Sequence, residues 1–375
     1  MKVFNVISKF TYVLIFLLLT SKSSRSQTST SFTPLFEEQT QNLVKQVFVE
    51  NNKLICKINN SITHQFDLER KPFAFVQGVD GKSFAILRYF FGQKSEKSNF
   101  ELYLLDENFA VSFYRKFDFY YEEPLPKVLV LSSGEFLLFN PSQGKLKLIN
   151  KTREVEFDLF NGEKQEFSQE RIGQFLPYNG KILITLSQLK KDDSYHSKIF
   201  LLNNETLEIK SADLKLPIIY KVFLHSSTIY LSGIETEPIF KTGFYLLNLD
   251  EDDLTSISLE KISDEFIEGQ VKNSENLFFG RNCLYSIENK NLEKVSFCLQ
   301  DEIILDALSI DNSFFVITRK DLISNLYKLD RNLNIVEKVT INRYLTSPEL
   351  KLSLNKDLYI IDKNQTILVK NFSEE

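Results

Sequence analysis

Two stretches of this sequence concentrate side chains that could contact a partner. The first consists of Asp118, Phe119, Tyr120, Tyr121, Glu122 and Glu123. Aromatic rings with polar tips are typical of protein contact surfaces, and the carboxylates could bind a cation or a basic partner. The alternative is an aromatic strand end followed by a solvated crossover. We predict a binding segment here and keep this alternative open.

The second stretch ends in Tyr195 and His196, after a run of mixed charge that begins at residue 190. Histidine is the side chain whose charge changes near neutral pH, so His196 could titrate near neutrality. The alternative is an exposed loop tip without a role. We therefore retain both residues as binding candidates.

Cys283 and Cys298 lie on either side of the turn around Lys290. If the hairpin axis falls between Lys290 and Asn291, the two cysteines are directly opposite each other, and a cross-strand disulfide can form. The alternative is that both are small buried hydrophobic residues. Cys56 has no obvious mate.

No established catalytic or metal-binding motif is present. The chain lacks Cys-x-x-Cys, a nucleophile elbow, a phosphate-binding loop and a dinucleotide glycine pattern, and its three histidines are far apart. The acidic run at residues 250–253 lacks the spacing of a calcium loop and is interpreted as a solvated turn. We predict no metal and no cofactor, and the catalytic residues, if any exist, stay unknown.

The charge excludes two classes of partner. The formal net charge is −5, and removal of an N-terminal leader that carries four basic residues would leave −9. A mildly acidic chain without a basic tract does not fit nucleic acid or electrostatic docking on an anionic membrane. The absence of Trp disfavours a carbohydrate enzyme, because sugar rings commonly stack on indoles.

The N-terminus has the order of regions found in a secretory signal peptide. Basic residues precede an apolar run at residues 10–19, and Ser24 and Ser26 precede a cut before Gln27. We predict a signal peptide at residues 1–26 and a secreted, periplasmic, cell-surface or secretory-lumen protein. An uncleaved anchor, which would be the chain's route to a membrane, and a buried core segment are the alternatives.

The remaining chain follows a strand-and-turn pattern. Residues 27–42 are polar and are predicted to be a flexible lead-in, and residues 43–375 form one domain. A tight turn followed by an apolar strand recurs about every 45 residues, the size of a propeller blade. The markers of this element are Phe84, Phe136, Ile182, Ile229, Leu277, Phe314 and Leu358.

A second element, a strand that ends in an Asp or Asn turn, also occurs seven times and is shifted along the chain. Its markers are Asn59, Asp106, Asn150, Asn203, Asp250, Glu288 and Asp330. The two sets predict an all-β, single β-propeller of seven four-stranded blades, with an N-terminal hairpin closing the last blade. Two runs, at residues 43–50 and 366–372, are left over, so six or eight blades stay open.

Over roughly residues 43–372 the chain resembles β-propellers as an architectural class. No family is assigned, because the recurring Trp-Asp, Gly-Gly and Tyr-Trp-Thr-Asp signatures are absent. The resemblance implies that long connections at residues 92–99, 118–126, 188–197 and 233–242 share one face of the ring, where function usually collects.

These observations favour an exported, non-catalytic propeller that binds a protein or another macromolecule through its long-loop face. A hydrolase or lyase acting on a surface polymer is the alternative, and a structural or envelope-assembly component is a third hypothesis.

Overall fold

The computed structural model describes residues 27–369 except for gaps at 31–32, 41–42, 70–71, 92–96, 121–125, 141–143, 160–171, 190–194, 204, 217, 226, 237–239, 250–253, 255, 289–290, 354–355 and 363–364. The described residues form 32 strands, numbered in chain order, which assemble into eight sheets of four strands each. None of the described segments is a helix with the length and hydrophobicity that crossing a membrane requires. We call the sheets blades 1 to 8.

The first described strand, β1 (Gln27–Thr30), belongs to the last blade. Blade 1 contains β2 (Thr33–Gln39), β3 (Val44–Glu50), β4 (Lys53–Ile58) and β5 (Ser61–Asp67). Blade 2 contains β6 (Phe73–Gln77), β7 (Phe84–Phe90), β8 (Lys97–Leu105) and β9 (Val111–Tyr120). Blade 3 contains β10 (Lys127–Ser132), β11 (Glu135–Asn140), β12 (Lys145–Asn150) and β13 (Glu154–Asp158). Blade 4 contains β14 (Ile172–Tyr178), β15 (Lys181–Leu189), β16 (Tyr195–Leu202) and β17 (Ile209–Leu214).

The second half of the ring repeats this order. Blade 5 contains β18 (Ile218–His225), β19 (Thr228–Glu235), β20 (Lys241–Leu249) and β21 (Ile257–Ser263). Blade 6 contains β22 (Ile267–Gln270), β23 (Leu277–Gly280), β24 (Cys283–Glu288) and β25 (Asn291–Cys298). Blade 7 contains β26 (Ile303–Ile310), β27 (Ser313–Lys320), β28 (Ile323–Leu329) and β29 (Ile335–Ile341). Blade 8 contains β30 (Glu349–Leu352), β31 (Leu358–Asp362), β32 (Gln365–Val369) and β1.

All neighbouring strands within a blade are antiparallel. The first strands of neighbouring blades contact each other, as β6 contacts β10 and β26 contacts β30. The first strand of each blade is therefore the inner one, and the fourth is the outer one. This arrangement is a β-propeller.

The core lies between blades rather than inside one sheet. In blade 3 the second strand β11 is buried at four consecutive positions, whereas the outer strand β13 is exposed at every other residue. Phe136 on β11 packs among Leu102 and Leu104 of blade 2. The middle strands are covered on both faces by neighbouring blades, so their sequences are continuous apolar runs, while outer strands alternate.

The blade number is eight and not seven, which corrects the leading prediction. The seven predicted markers are the second strands of blades 2 to 8, and the leftover run at residues 43–50 contains β3, the second strand of blade 1. The other leftover run overlaps β32, the third strand of blade 8. The Asp and Asn turns number seven because the outer strand of blade 8 comes from the other end of the chain.

The closure of the ring also differs from the predicted one. The hairpin around Asn59 lies within the complete blade 1, so it does not close the last blade. Instead the single strand β1 pairs with β32, from Gln27 opposite Val369 to Thr30 opposite Thr366. Residues 27–42, predicted to be a flexible lead-in, thus contain β1 and the inner strand β2.

Candidate functional site

Chain direction divides the connections between two faces. Connections from the second to the third strand, and from one blade to the next, leave from the same face. The long connections after second strands, at residues 91–96, 141–144, 190–194 and 236–240, all belong to blades 2 to 5. On the same face, crossovers at 121–126 and 159–171 join blades in this half of the ring, and a crossover of seven residues at 342–348 joins blades 7 and 8. We call this half of the face the long-loop half-face.

The first predicted binding segment is split between surface and core. Asp118 is exposed near the end of β9, but Phe119 is only 3% exposed. The Phe119 ring packs against Tyr89 and Phe100 with centroid separations of 6.3 and 6.2 Å. Phe119 therefore stabilises the core of blade 2. Tyr120 ends the strand β9, and nothing further of its side chain is described.

The other predicted residues of that segment, Tyr121, Glu122 and Glu123, lie outside the described residues. The binding role of this segment stays a prediction for Asp118, Tyr120 and these three residues.

Tyr195 and His196 begin β16 of blade 4, at the long-loop half-face. His196 Nε2 lies 2.9 Å from Asp213 Oδ1 on the neighbouring strand β17. The His196 side chain is largely buried, whereas Asp213 is exposed. This contact holds the imidazole against blade 4. We call the two residues the His196–Asp213 unit. Blade 3 separates this unit from the segment at the end of β9.

Asp213 forms part of the wall of a groove between blades 4 and 5. The groove has a volume of about 400 Å³. Residues 213–216 contribute the wall from blade 4, and Glu235, Tyr245 and Lys261 contribute the polar wall from blade 5.

The polar wall of blade 5 is a connected network. The Tyr245 hydroxyl donates a hydrogen bond to Glu235 Oε1 at 2.8 Å, and the Lys261 ammonium lies 3.5 Å from the same oxygen. Lys261 also pairs with Asp264 at 2.8 Å. Its ammonium is 5.8 Å from the centroid of the Tyr245 ring. One carboxylate, one phenol and one ammonium are thus held together by a shared oxygen.

The network fixes the protonation states around neutral pH. Burial and the hydrogen bond to Glu235 raise the pKa of the Tyr245 phenol well above its usual value. The hydrogen bond to Asp264 outweighs partial burial and raises the pKa of Lys261. At neutral pH the phenol therefore stays neutral and the amine stays charged, so both act as hydrogen-bond donors in the groove.

Sequence reasoning missed Glu235, Tyr245 and Lys261. The strand register contains a pattern that could have identified two of them: in blades 5, 6 and 7 a Tyr on the third strand is paired with a Lys on the outer strand. The pairs are Tyr245 with Lys261, Tyr285 with Lys294 and Tyr327 with Lys338. The recurrence indicates that the Tyr–Lys pair belongs to the blade repeat. In blade 5 this pair lines the same groove as Asp213, the partner of His196.

Cys283 and Cys298 are opposite each other on β24 and β25 and are joined by a disulfide bond. Cys56 is buried as a free thiol. Within the described ranges no three His, Cys, Asp or Glu side chains cluster closely enough to hold a metal ion. The acidic run at residues 250–253 lies outside the described residues.

No protein-family model matches the sequence, and a search of curated proteins finds no match. Solved structures with similar folds include the β-propeller domain of the trilobed protease from Pyrococcus furiosus, 14% identical over 84% of this chain and 99% of that chain, with a TM-score of 0.43.

A streptogramin B lyase structure is 12% identical over 76% of this chain and 97% of that chain, with a TM-score of 0.43. A prolyl endopeptidase structure is 9% identical over 90% of this chain and 54% of that chain, with a TM-score of 0.46. At these identities the likeness concerns the fold and assigns no activity to this chain.

Proposed function

We propose that this chain is an exported, non-catalytic β-propeller that binds a protein or another macromolecule through its long-loop half-face. The observation that carries the proposal is that, among the described strands, the connections from second to third strands are longer than two residues only in blades 2 to 5. Two large apolar side chains in these connections are exposed, Phe91 and Phe240, and the latter is 70% exposed. Aromatic side chains exposed on a rigid scaffold are typical anchors of protein interfaces.

Two features support export. Cleavage before Gln27 would leave β1, the strand that pairs with β32 and completes blade 8, in the mature chain. The Cys283–Cys298 disulfide is of the kind that persists in oxidising compartments. Export is tested by sequencing the N-terminus of the protein recovered from the producing cell's secretory fraction. Retention of residues 1–26 on a soluble, reduced chain would contradict it.

Binding is tested by photo-crosslinking. Each variant of the full chain carries one photoreactive amino acid and is irradiated in an extract of the producing cell. A photoreactive aromatic amino acid replaces Phe240 in one variant and Leu322 in a control variant. Leu322 is equally exposed, at 74%, and also follows a second strand on the same face, but it lies in blade 7, outside the long-loop half-face. We expect one discrete adduct from position 240 and none from position 322. Equal adducts from both positions would overturn the proposal.

A hydrolase or lyase is the second candidate, and the His196–Asp213 unit at the groove is the observation that favours it. A histidine held by a carboxylate is a common acid–base pair. Under this alternative, His196→Gln abolishes the release of products from a surface polymer and leaves the photo-crosslink at position 240 unchanged. Under the leading proposal, the purified chain releases no product from any such polymer.

A further inference from the structure

A second cavity lies at the junction where the ring closes, away from the groove between blades 4 and 5. Its volume is about 710 Å³, within the range of sites for small organic ligands. The walls come from blade 8, from the inner strand β2 of blade 1 and from the inner strand β6 of blade 2. Three consecutive blades therefore contribute to one cavity.

The walls combine aromatic rings with one amine. Phe36, Phe73 and Phe75 line the cavity, and each ring is partly exposed. Lys351 on β30 lines it as well, with a side chain that is 28% exposed. A flat apolar body can pack against the rings while the amine meets a polar group at its end.

The charge of Lys351 is poorly compensated within the described residues. Its ammonium donates a hydrogen bond to the Leu35 carbonyl oxygen at 3.1 Å, and its nearest carboxylate oxygen, on Glu349, is 3.9 Å away. That same oxygen is 3.4 Å from the Lys272 ammonium, so two amines share it. Burial, together with the neighbouring charge of Lys272, lowers the pKa of Lys351 despite Glu349.

We propose that this cavity binds an organic monocarboxylate with a flat apolar body, whose carboxylate pairs with the Lys351 ammonium while its body packs on Phe36, Phe73 and Phe75. An ammonium has three donors, and the Leu35 carbonyl uses one of them. A bound carboxylate would supply the short charge-assisted bond that Glu349 does not make. The inference concerns a small ligand and stands apart from macromolecular binding at the long-loop half-face.

The probes are three compounds that share a phenylpropyl body: 3-phenylpropionate, 3-phenylpropanol and 3-phenylpropylamine. Isothermal titration of the full chain compares them near neutral pH. We expect the carboxylate to bind about tenfold more tightly than the alcohol, since one charge-assisted hydrogen bond is worth about that factor, and the amine to bind most weakly. Equal binding of acid and alcohol, preference for the amine, or no binding at millimolar concentrations would overturn the proposal.

Substitutions distinguish the ion pair between Lys351 and the ligand carboxylate from packing of the ligand on the aromatic rings. Lys351→Met should remove the preference for the carboxylate. Lys127→Met is the matched control, because Lys127 also sits on an inner strand and donates to a carbonyl of the next blade, Gly173, but does not line the cavity. It should keep the preference. Glu349→Gln should strengthen carboxylate binding about two- to threefold by removing the competing anion, which keeps the test decisive if Lys351→Met does not fold.

Discussion

Asp306 on β26 and Lys272, which follows β22, form an ion pair of 2.7 Å between blades 7 and 6. The same Asp306 oxygen accepts a hydrogen bond of 2.7 Å from the Leu350 amide in blade 8. Lys272 also approaches Glu349, and Lys351 in turn reaches the Leu35 carbonyl in blade 1. Polar contacts on and beside the inner strands therefore link blades 6, 7, 8 and 1 across the closure. The pairing of β1 with β32 closes the same junction at the outer rim.

Asp306→Ala should lower the free energy of unfolding by about 2 kcal/mol. The substitution leaves the Leu350 amide without its acceptor and removes the shorter of the two carboxylate contacts of the Lys272 ammonium. We place the effect below that of a fully buried pair because a third of Lys272 is exposed to solvent. Urea unfolding followed by far-UV circular dichroism measures it.

The matched control is Asp311→Ala. Asp311 pairs with Lys356 at 2.8 Å, but both side chains are more than half exposed. This change should cost less than about 0.5 kcal/mol. Similar costs for the two substitutions would show that the inner contacts add nothing to closure.

Removal of β1 should weaken the ring at its outer rim. A chain that starts at Gln27 should melt at the same temperature as the full chain, whereas a chain that starts at Thr33 should melt roughly 5 °C lower, because the ladder to β32 is lost. Differential scanning calorimetry of the three chains checks this. Equal melting of the two shortened chains would contradict the closure by β1.

Phe119→Ala should lower the free energy of unfolding by about 3–4 kcal/mol, the usual cost of removing a buried ring. Phe119 packs among Tyr89, Phe91 and Phe100. Asp118→Ala, the exposed neighbour on the same strand, should change it by less than about 0.5 kcal/mol. If Phe119→Ala left stability intact and instead removed a crosslinked partner, the residue would be part of the binding surface.

Glu302 should make stability depend on pH. It accepts hydrogen bonds from Thr318, Asn325, Tyr327 and Lys338, at distances between 2.5 and 3.1 Å. Burial alone would raise the pKa of the Glu302 carboxyl, but these bonds lower it below 4.5, its ordinary value. The ionised form is thus stabilised in the folded chain, and this contribution is present above pH 4.5 and is lost as the pH falls through the lower folded value.

Unfolding by urea at pH 7 and at pH 3.5 measures this effect. The native chain should lose more stability between these two values than Glu302→Gln does. Glu268→Gln, on the exposed side of β22, serves as a control and should lose as much as the native chain. An unchanged pH dependence in Glu302→Gln would show that the network does not favour the ionised carboxylate.

The cysteines should differ in reactivity. Burial raises the pKa of the Cys56 thiol to about 12, so iodoacetamide at pH 8 should leave the folded chain unmodified. In denaturant without reductant, one cysteine should react, and after reduction, three. Replacing Cys283 and Cys298 by Ala should cost about 3 kcal/mol, as expected for a closed loop of this length. Three reactive thiols without reductant would exclude the disulfide.

The sequence alone predicted the strands and the repeat, since alternation of apolar residues and turn residues are local properties. The second strands of seven blades were identified from markers such as Phe136 and Phe314. The pairing of Cys283 with Cys298 was predicted from a hairpin axis between Lys290 and Asn291. In the structure Glu288 pairs with Asn291, and a register shift between Cys283 and Tyr285 then brings the two cysteines opposite each other.

Only the tertiary structure decided the blade number, the closure and the sites. β1 and β32 are at opposite ends of the chain, and nothing local in either strand specifies its partner. The inner strand β2 ends in Glu37, Glu38 and Gln39 and follows a polar stretch, so its composition predicts a lead-in rather than a strand. Glu235, Tyr245 and Lys261 meet across three strands, and Lys351 reaches Leu35 only because the ring closes. Such contacts depend on how blades pack around an axis, which no spacing along the chain encodes.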